Sequence, residues 1–261
     1  MLTYEKKIYY TLRIAAAMCF IGHGAFGIIT KEIWCNYFGV FGIGHALAYK
    51  IMPWLGTFDI LMGVSLLVYP TWAVIGWLVV WGALTALLRP MSGEPFAEFI
   101  ERAGNYGAPL ILLILYNKSG NNMSWFHKIE PVKEFNKDNL EVTIKCLKLI
   151  VFLLMIGHAW LNLIEKKGLI GQYSSLGFSN PERTAQIVGL FEALLAASIW
   201  IKPIRPVVFA LLVWKMGTEL FYPHWELFEW IERGGSYGTI LALWFALPRF
   251  TLPVRNKLIV A

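Results

Sequence analysis

Two histidines stand directly after glycines inside strongly apolar segments, FIGHGAFG and MIGHAWLN. They are His23 and His158, and each is followed further along the chain by an acid within another apolar segment, Asp59 and Glu192 respectively. An ionisable side chain at bilayer depth costs about 2.5–3.5 kcal/mol on insertion scales, so such groups usually face the interior of a helix bundle and mark function. The pairs could bond a ligand or exchange protons, and histidines hydrogen-bonded within a core are the plainer alternative.

The sequence FIERAGNYG of the first half returns as WIERGGSYG in the second, with six of nine positions identical. In each copy an arginine follows an acid by four residues, which is the favourable order for an ion pair on a helix. These pairs are Glu98–Arg102 and Glu229–Arg233. One interpretation is that they anchor a helix at the membrane interface, with the tyrosine of each copy in the aromatic belt. The other is a cationic lip for an anionic or carbonyl-bearing ligand.

The second half departs from the first in the segment VVFALLVWKMGTELFYP, which contains Lys215 and Glu219 where the first half has Gly82 and Ala86. Two interpretations stay open: an ion pair that stabilises a costly helix, and a ligand-binding site gained in the second half. The simplest assembly places histidine, acid and Glu-Arg of one half around one polar pocket. The candidate ligand-binding residues are His158, Glu192, Lys215, Glu219, Arg233, His23, Asp59 and Arg102.

These residues are carried by two similar halves. LGTFDILMGVSLLVYP in the first half resembles VGLFEALLAASIWIKP in the second, so the chain is a tandem duplication. Each half offers four hydrophobic segments, and prolines lie near their ends, where helices tolerate them. The segments are approximately 10–30, 53–70, 71–89 and 99–117, then 142–164, 184–201, 205–222 and 230–248.

The predicted fold is therefore an all-α integral membrane protein with eight transmembrane helices in two four-helix repeats. The first repeat spans 1–117 and the second 141–261, with a polar cytoplasmic linker at 118–140. An even number of crossings makes the two repeats parallel. Lys and Arg are more numerous on the side that holds both termini, which predicts cytoplasmic termini in an inner or plasma membrane.

Composition supports a membrane protein, since 57% of the 261 residues are hydrophobic and only 15% are charged. Soluble domains are nearer one quarter charged, and too few polar faces remain to solvate a soluble core. The net charge of +6 fits topology and anionic lipid, and indicates no nucleic-acid partner. The three cysteines form no CxxC motif and predict neither a disulfide framework nor a redox dithiol.

The central Gly-His and the LGxxE/D-like opening of the second helix resemble the DoxX/DoxD-like membrane proteins. The matching residues are Gly22-His23-Gly24 with LGTFD, ending at Asp59, and Gly157-His158 with VGLFE, ending at Glu192. Members typically have one four-helix unit, so a fused pair departs from the pattern. The resemblance implies a role beside redox enzymes, as in subunits of thiosulfate:quinone oxidoreductases, and transfers no catalytic set.

The leading functional hypothesis is an accessory subunit of a membrane redox system, with a redox partner and a quinone-like ligand in an outer-half pocket of the second repeat. His158 would bond the ligand carbonyl, Glu192 would orient the imidazole, and Lys215 or Arg233 would stabilise developing negative charge. Haem b held by the two histidines is a weaker alternative. A metal site from His158, Glu192 and Glu219 has no diagnostic spacing, so no metal is predicted. A small-molecule or proton-coupled transporter and a non-catalytic membrane scaffold stay open as rival functions.

Overall fold

The architecture is a bundle of helices whose order repeats in the two halves of the chain. The computed structural model describes residues 3–117, 124–131, 137–220 and 227–247, without the side chains of 116, 117, 137 and 220. The helices of the first half are α1 (Tyr4–Ile28), α2 (Trp34–Gly39), α3 (His45–Val68), α4 (Trp72–Met91), α5 (Ala97–Glu101) and α6 (Ala103–Asn117). Those of the second are α7 (Lys137–Leu163), α8 (Lys167–Ser175), α9 (Pro181–Ile201), α10 (Arg205–Leu220), α11 (Leu227–Glu232) and α12 (Gly234–Ala246). The described residues form no β-strand beyond one bridge, between Thr71 and Lys128.

Several of these helices are capped at their N-termini by polar side chains, which accept hydrogen bonds from backbone N–H groups that lack an intrahelical partner. The Thr71 hydroxyl accepts from the amide of Val74 at 3.2 Å and so caps α4. Asn180 Oδ1 accepts from the amide of Arg183 at 2.9 Å, and Pro181 follows in the first turn of α9, where its missing N–H is harmless. Of the prolines predicted near segment ends, Pro181 begins α9, whereas Pro53 lies inside α3, which already begins at His45.

Four described helices, α1, α3, α4 and α9, are long and apolar enough to cross a membrane. This agrees with an all-α membrane protein, but the predicted count of eight crossings is not met. The fourth segment of each half is not one helix, because the chain breaks at Arg102 between α5 and α6 and at Arg233 between α11 and α12. The resulting α6 and α12 have 15 and 13 residues, fewer than the roughly 20 of a straight crossing.

The two halves interlock. Within each half the first long helix packs on the next, α1 on α3 and α7 on α9, but the short helix at the break packs on the other half. Thus α5 packs against α7, and α11 packs against α1. The helices that follow the breaks, α6 and α12, contact each other at Gly104 and Gly235, whose backbones approach too closely for a side chain on either.

Helix association inside a membrane relies on close backbone packing, because lipid is as apolar as the helices themselves. The contact of α1 with α3 shows this at Gly24 and Gly56. A Cβ on Gly24 would stand 2.4 Å from the Gly56 carbonyl oxygen, and a Cβ on Gly56 would stand 2.3 Å from the carbonyl oxygen of Gly24. The buried apolar cluster that fills the bundle includes side chains of both halves, such as Leu12 of α1 and Leu154 of α7.

The first helix of each half ends in the same left-handed turn. Thr30 after α1 has φ 55° and Glu165 after α7 has φ 54°. The next residue in each case donates its amide back across the turn, Lys31 to Phe26 and Lys166 to Leu161, both at 3.1 Å. These are the six-residue bonds of a Schellman ending, and they direct Lys31 and Lys166 away from the helix axis.

The polar segment between the halves, predicted as a cytoplasmic linker, is described at 124–131. There the amide of Ile129 donates to the Pro70 carbonyl at 2.8 Å, and Ala73 donates to the Trp125 carbonyl at 3.0 Å. This stretch therefore lies against the turn between α3 and α4. The rest of the predicted linker before residue 137 lies outside the described residues.

Candidate functional site

The predicted His-acid pairs are present, and the second-half pair is the more extensively bonded. His158 Nδ1 lies 2.6 Å from Glu192 Oε2, which joins α7 to α9. The other Glu192 oxygen accepts from Trp214 Nε1 of α10 at 3.1 Å. With both carboxylate oxygens occupied, Glu192 fixes the orientation of the imidazole, and the second ring nitrogen is the one left for a ligand.

Asn162 supports this pair one turn along α7. Its Nδ2 lies 3.3 Å from His158 Nδ1 and donates to the His158 carbonyl at 3.1 Å. Tyr173 of α8 donates its hydroxyl to Asn162 Oδ1 at 2.7 Å. Burial raises the pKa of the Tyr173 phenol, and the nearby carboxylates of Glu192 and Glu219 raise it further. Tyr173 therefore remains a hydrogen-bond donor at neutral pH.

An ion network lies beside the histidine. Arg233 binds Glu101 Oε1 at 2.7 Å and Glu219 Oε2 at 3.2 Å, so it joins acids from the two halves. Lys215 is 1% exposed, and its Nζ lies 3.0 Å from Glu219 Oε1, as the four-residue spacing on α10 predicts. The geometry of that contact does not make a hydrogen bond, so the charges attract while the ammonium has no hydrogen-bond partner among the described residues.

Most of these groups line a cavity of about 390 Å³ in the second half, whose lining does not include Asn162 or Lys215. One wall carries His158 and Glu192, another carries Glu101 and Arg233, and α8 contributes Tyr173 together with apolar side chains. Pockets of about 300–1,000 Å³ with a few convergent polar groups are typical small-molecule sites. The cavity therefore has the size and lining to hold one small amphipathic molecule.

The first half repeats the pair in a separate, smaller cavity of about 140 Å³. His23 Nδ1 lies 2.8 Å from Asp59 Oδ2, and the imidazole lies against the Trp34 ring with centroids 4.5 Å apart. Arg102 lines both cavities. Since His23 and His158 line different cavities and each bonds its own carboxylate, the arrangement does not present the two histidines to a single haem.

An acid from the Glu-Arg stretch of each half lies in the cavity of the other half. The sequence predicted instead that each pocket is built from one half alone. Glu101 of α5 lines the His158 cavity, and Glu232 of α11 lines the His23 cavity. Two further ion pairs follow the same exchange: Lys166 binds Glu98, and Lys31 binds Glu229 with Nζ–Oε1 of 2.6 Å. Each cavity is thus completed by the other half.

The two predicted Glu-Arg pairs have different outcomes. Arg102 Nη1 binds Glu98 Oε2 at 2.5 Å, as predicted, and also Glu101 Oε2 at 3.0 Å. Arg233 instead binds Glu101 and Glu219, while Glu229 binds Lys31. Glu98 is fully buried, so this pair contributes to a network between helices. The tyrosine of the second copy, Tyr237, is likewise buried within the protein.

The site residues that were missed from the sequence include Glu101, Trp214 and Tyr173. Glu101 was accessible to prediction, because the same glutamate stands in both copies of the IER motif. Glu98 stands four residues before Arg102, which is the spacing of a helical ion pair, so Glu98 and not Glu101 was predicted as the partner of the arginine. Trp214 matches Trp81 of the first half, but an indole in an aromatic-rich chain gives little signal. Tyr173 lies in α8, which was not predicted.

Glu101, His158 and Glu219 each offer a ligand atom within 4.8 Å of the others, a spacing that could hold a metal ion. Both carboxylates are already bound by Arg233, and Lys215 lies beside one of them. A cation entering the cluster would meet these two positive side chains. The cluster is therefore interpreted as an ion network around the histidine.

What the arrangement offers chemically is a fixed imidazole that can gain or lose a proton beside a charge-balanced, partly apolar cavity. The predicted candidates His158, Glu192, Glu219 and Arg233 meet there, with Lys215 in contact with Glu219, while His23 and Asp59 line the second cavity. A comparison with models of protein families, with curated proteins and with solved structures finds no match to this chain.

Proposed function

We propose that this membrane protein binds a small quinone-like molecule in the second-half cavity and serves as an accessory subunit of a membrane redox system. The observation that carries the proposal is the His158–Glu192 pair at 2.6 Å, held between Trp214 and Asn162 at the wall of a 390 Å³ cavity. A carbonyl or hydroxyl of a ring-shaped ligand can bond the second imidazole nitrogen while the ring contacts the apolar lining.

The charge of the site favours a neutral ligand. The acids that line the cavity are Glu98, Glu101, Glu192 and Glu219, and the cations are Arg102, Lys166 and Arg233, with Lys215 behind them. Four negative and four positive groups balance when His158 is neutral. A permanently charged ligand would have to displace one of these ion pairs, whereas a quinone would leave them in place.

In this proposal each residue has a distinct role. Glu192 accepts a hydrogen bond from Nδ1–H of His158, which leaves Nε2 for the ligand. In the neutral imidazole Nε2 can accept a hydrogen bond from a hydroxyl of the reduced ligand. In the imidazolium it can donate one to a carbonyl of the oxidised ligand. His158 would then deliver one of the two protons taken up when a partner subunit reduces a quinone to a quinol by two electrons. Arg233 would stabilise negative charge as it develops on the ligand oxygen.

The test is calorimetric titration of the detergent-purified protein with a short-chain benzoquinone that lacks an isoprenoid tail. We expect His158→Ala to weaken binding by at least tenfold and Glu192→Gln to weaken it less, since the imidazole remains. His23→Ala is the matched control, because it removes the equivalent histidine from the other cavity. Full affinity in a folded His158→Ala protein would remove the histidine from the proposal, and no binding by the wild type would overturn it.

An absorption spectrum of the same sample, oxidised and then reduced with dithionite, tests the haem alternative. A Soret band that disappears in His23→Ala or His158→Ala would establish haem ligation and replace the proposal with an electron carrier. Organic extraction of the purified protein complements the spectrum. A quinone in the extract together with a featureless spectrum would support the cavity as a quinone site.

A proton-coupled transporter is the second candidate, and one observation favours it. Arg102 lines both cavities, and Arg233 binds the first-half acid Glu101, so a charged network joins the two cavities through the fold. Transport pathways commonly contain ionisable groups and broken helices. Uptake into proteoliposomes that depends on a pH gradient and is lost in Glu219→Gln would favour transport over redox function.

The proposal also includes the topology and the family relation predicted from the sequence. Both termini are cytoplasmic in an inner or plasma membrane, and the chain crosses eight times, with α6 and α12 as parts of broken spans. The protein is a distant relative of the DoxX/DoxD-like proteins. The predicted excess of Lys and Arg on one side supports the orientation. Cysteine labelling at an exposed site of 124–131 with a membrane-impermeant reagent, before and after the cells are lysed, tests it, since the linker is expected to be protected in intact cells.

A further inference from the structure

The first-half cavity contains two buried polar atoms that lack a hydrogen-bond partner. They are Asp59 Oδ1 and Trp81 Nε1, and both residues line this cavity. Asp59 is only 1% exposed. A buried donor or acceptor left unsatisfied costs about 1–3 kcal/mol, so such atoms normally have a partner that the protein itself does not supply. One unpaired acceptor and one unpaired donor, on two residues that line the same cavity, point to an occupant that binds both.

The second half shows why these atoms are free. There the equivalent residues, Glu192 and Trp214, bond each other at 3.1 Å while Glu192 also bonds its histidine at 2.6 Å. Aspartate is one methylene shorter than glutamate. The Asp59 carboxylate bonds His23 at 2.8 Å and makes no bond to Trp81. The substitution of acid therefore converts a closed contact in one half into an open donor-acceptor pair in the other.

A hydroxyl group fits this pair, because it can accept from Trp81 Nε1 and donate to Asp59 Oδ1 at the same time. Both arginines at the cavity wall are already partnered, since Arg102 and Arg89 bind Glu98 at 2.5 and 3.4 Å. Glu232 adds a second carboxylate to the lining. A neutral hydroxyl therefore needs no ion pair to be broken. An alkoxide or carboxylate ligand would instead be repelled by Asp59.

The walls define the rest of the ligand. They include the rings of Trp34, Tyr37, Phe38 and Phe41, and the cavity volume of about 140 Å³ is close to the roughly 150 Å³ that accommodates benzene in an apolar protein cavity. We propose that the first-half cavity is a second binding site, for a neutral monocyclic aromatic alcohol of the phenol class. Its hydroxyl bridges Asp59 and Trp81, and its ring packs among the aromatic walls. This site differs in chemistry from the His158 cavity and does not depend on it.

The test is fluorine NMR of the detergent-purified full chain with 4-fluorophenol, and with 4-fluorotoluene as the isosteric probe that lacks the hydroxyl. We expect saturable binding of the phenol and at least tenfold weaker binding of the toluene. Asp59→Glu recreates the second-half contact with Trp81, so it should weaken phenol binding at least tenfold without disturbing the fold. Trp81→Phe removes only the donor and should weaken phenol binding several-fold.

Glu192→Asp is the matched control, since it makes the same one-methylene change in the other cavity and should leave phenol binding in the first-half site intact. Equal affinity for the two fluorinated probes would overturn the proposal, as would undiminished phenol binding by a folded Asp59→Glu protein. Absence of phenol binding in the folded wild type would also overturn it and would assign the two polar atoms to a bound water. Each result is independent of quinone binding at His158.

Discussion

Gly157 and Glu101 belong to different halves of the chain, and their backbones touch. A Cβ on Gly157 would stand 2.4 Å from the amide nitrogen of Glu101 and 2.7 Å from its Cα. The same relationship occurs in the other half, where a Cβ on Gly22 would stand 2.4 Å from the amide nitrogen of Glu232. The glycine of each Gly-His motif therefore lets the exchanged short helix approach, which places the acid of that helix beside the histidine.

The first prediction concerns this contact. Gly157→Ala should destabilise the protein by about 1–3 kcal/mol or more, because the clashing atoms are backbone and cannot rotate away. Gly76→Ala is the matched control, since Gly76 lies within α4 with no atom near its missing Cβ, and alanine there should stabilise the helix by about 0.5–1 kcal/mol. Thermal unfolding in detergent measures both. Equal midpoints for the two variants would contradict the close contact.

The sequence alone located the histidines, their acids and the duplication, because these depend on residue type and on similarity between two stretches of one chain. Which half receives Glu101 could not be predicted. Both copies carry the same IER motif, so periodicity and spacing are identical whether α5 packs on its own half or on α7. The breaks at Arg102 and Arg233 were also missed, since each Glu-Arg motif was joined to the apolar run that follows it and the two were predicted as one straight crossing.

The second prediction contrasts a buried with an exposed ion pair. Arg233→Met leaves Glu101 without this partner and Glu219 with Lys215 alone, inside the bundle. Breaking a fully buried pair costs about 3–5 kcal/mol, and because the Arg233 side chain is 24% exposed we expect about 2–3 kcal/mol. Lys145→Met, which removes the exposed partner of Glu141 on α7, should not change the unfolding midpoint measurably. Similar losses in both variants would show that the Arg233 network is solvated.

The third prediction is a loss of stability at alkaline pH. Burial raises the pKa of Tyr37, whose hydroxyl also donates to Glu94 at 2.6 Å, and burial raises the pKa of Tyr173 in the same direction. Each phenol keeps its proton in the folded protein but loses it in the unfolded chain above about pH 10. Their contribution is therefore present in full below that pH and lost as the pH rises beyond it.

The measurement compares unfolding midpoints between pH 9 and pH 11. The Tyr37→Phe, Tyr173→Phe double variant should lose less stability over this range than the wild type, although it is less stable at pH 8 because two hydrogen bonds are missing. Tyr69→Phe serves as the control, since Tyr69 is 48% exposed, and it should follow the wild type. A double variant whose midpoints run parallel to the wild type at every pH would refute the assignment.

The fourth prediction follows from the exchange of α5 and α11 between the halves. If the chain is divided between Pro131 and Lys137 and the two pieces are produced together, they should co-purify as one complex. The complex retains the Lys166–Glu98 and Lys31–Glu229 pairs, both of which join the two pieces. The second piece produced alone lacks Glu98 and Glu101, so its histidine cavity is incomplete and its α7 surface at Gly157 has no covering helix.

The second piece, when produced alone, could form a dimer and so avoid misfolding. The piece carries Glu229 and Glu232, the counterparts of Glu98 and Glu101 in the repeat, so two copies could exchange α11 with each other and form a symmetric dimer. Size-exclusion chromatography with light scattering distinguishes the outcomes. Co-purification of the paired pieces, with the second piece alone either aggregated or dimeric, would establish that the exchange completes the cavities. A stable, well-folded monomer of the second piece would show instead that one half forms its own site, and the interlocked architecture would then have no functional role.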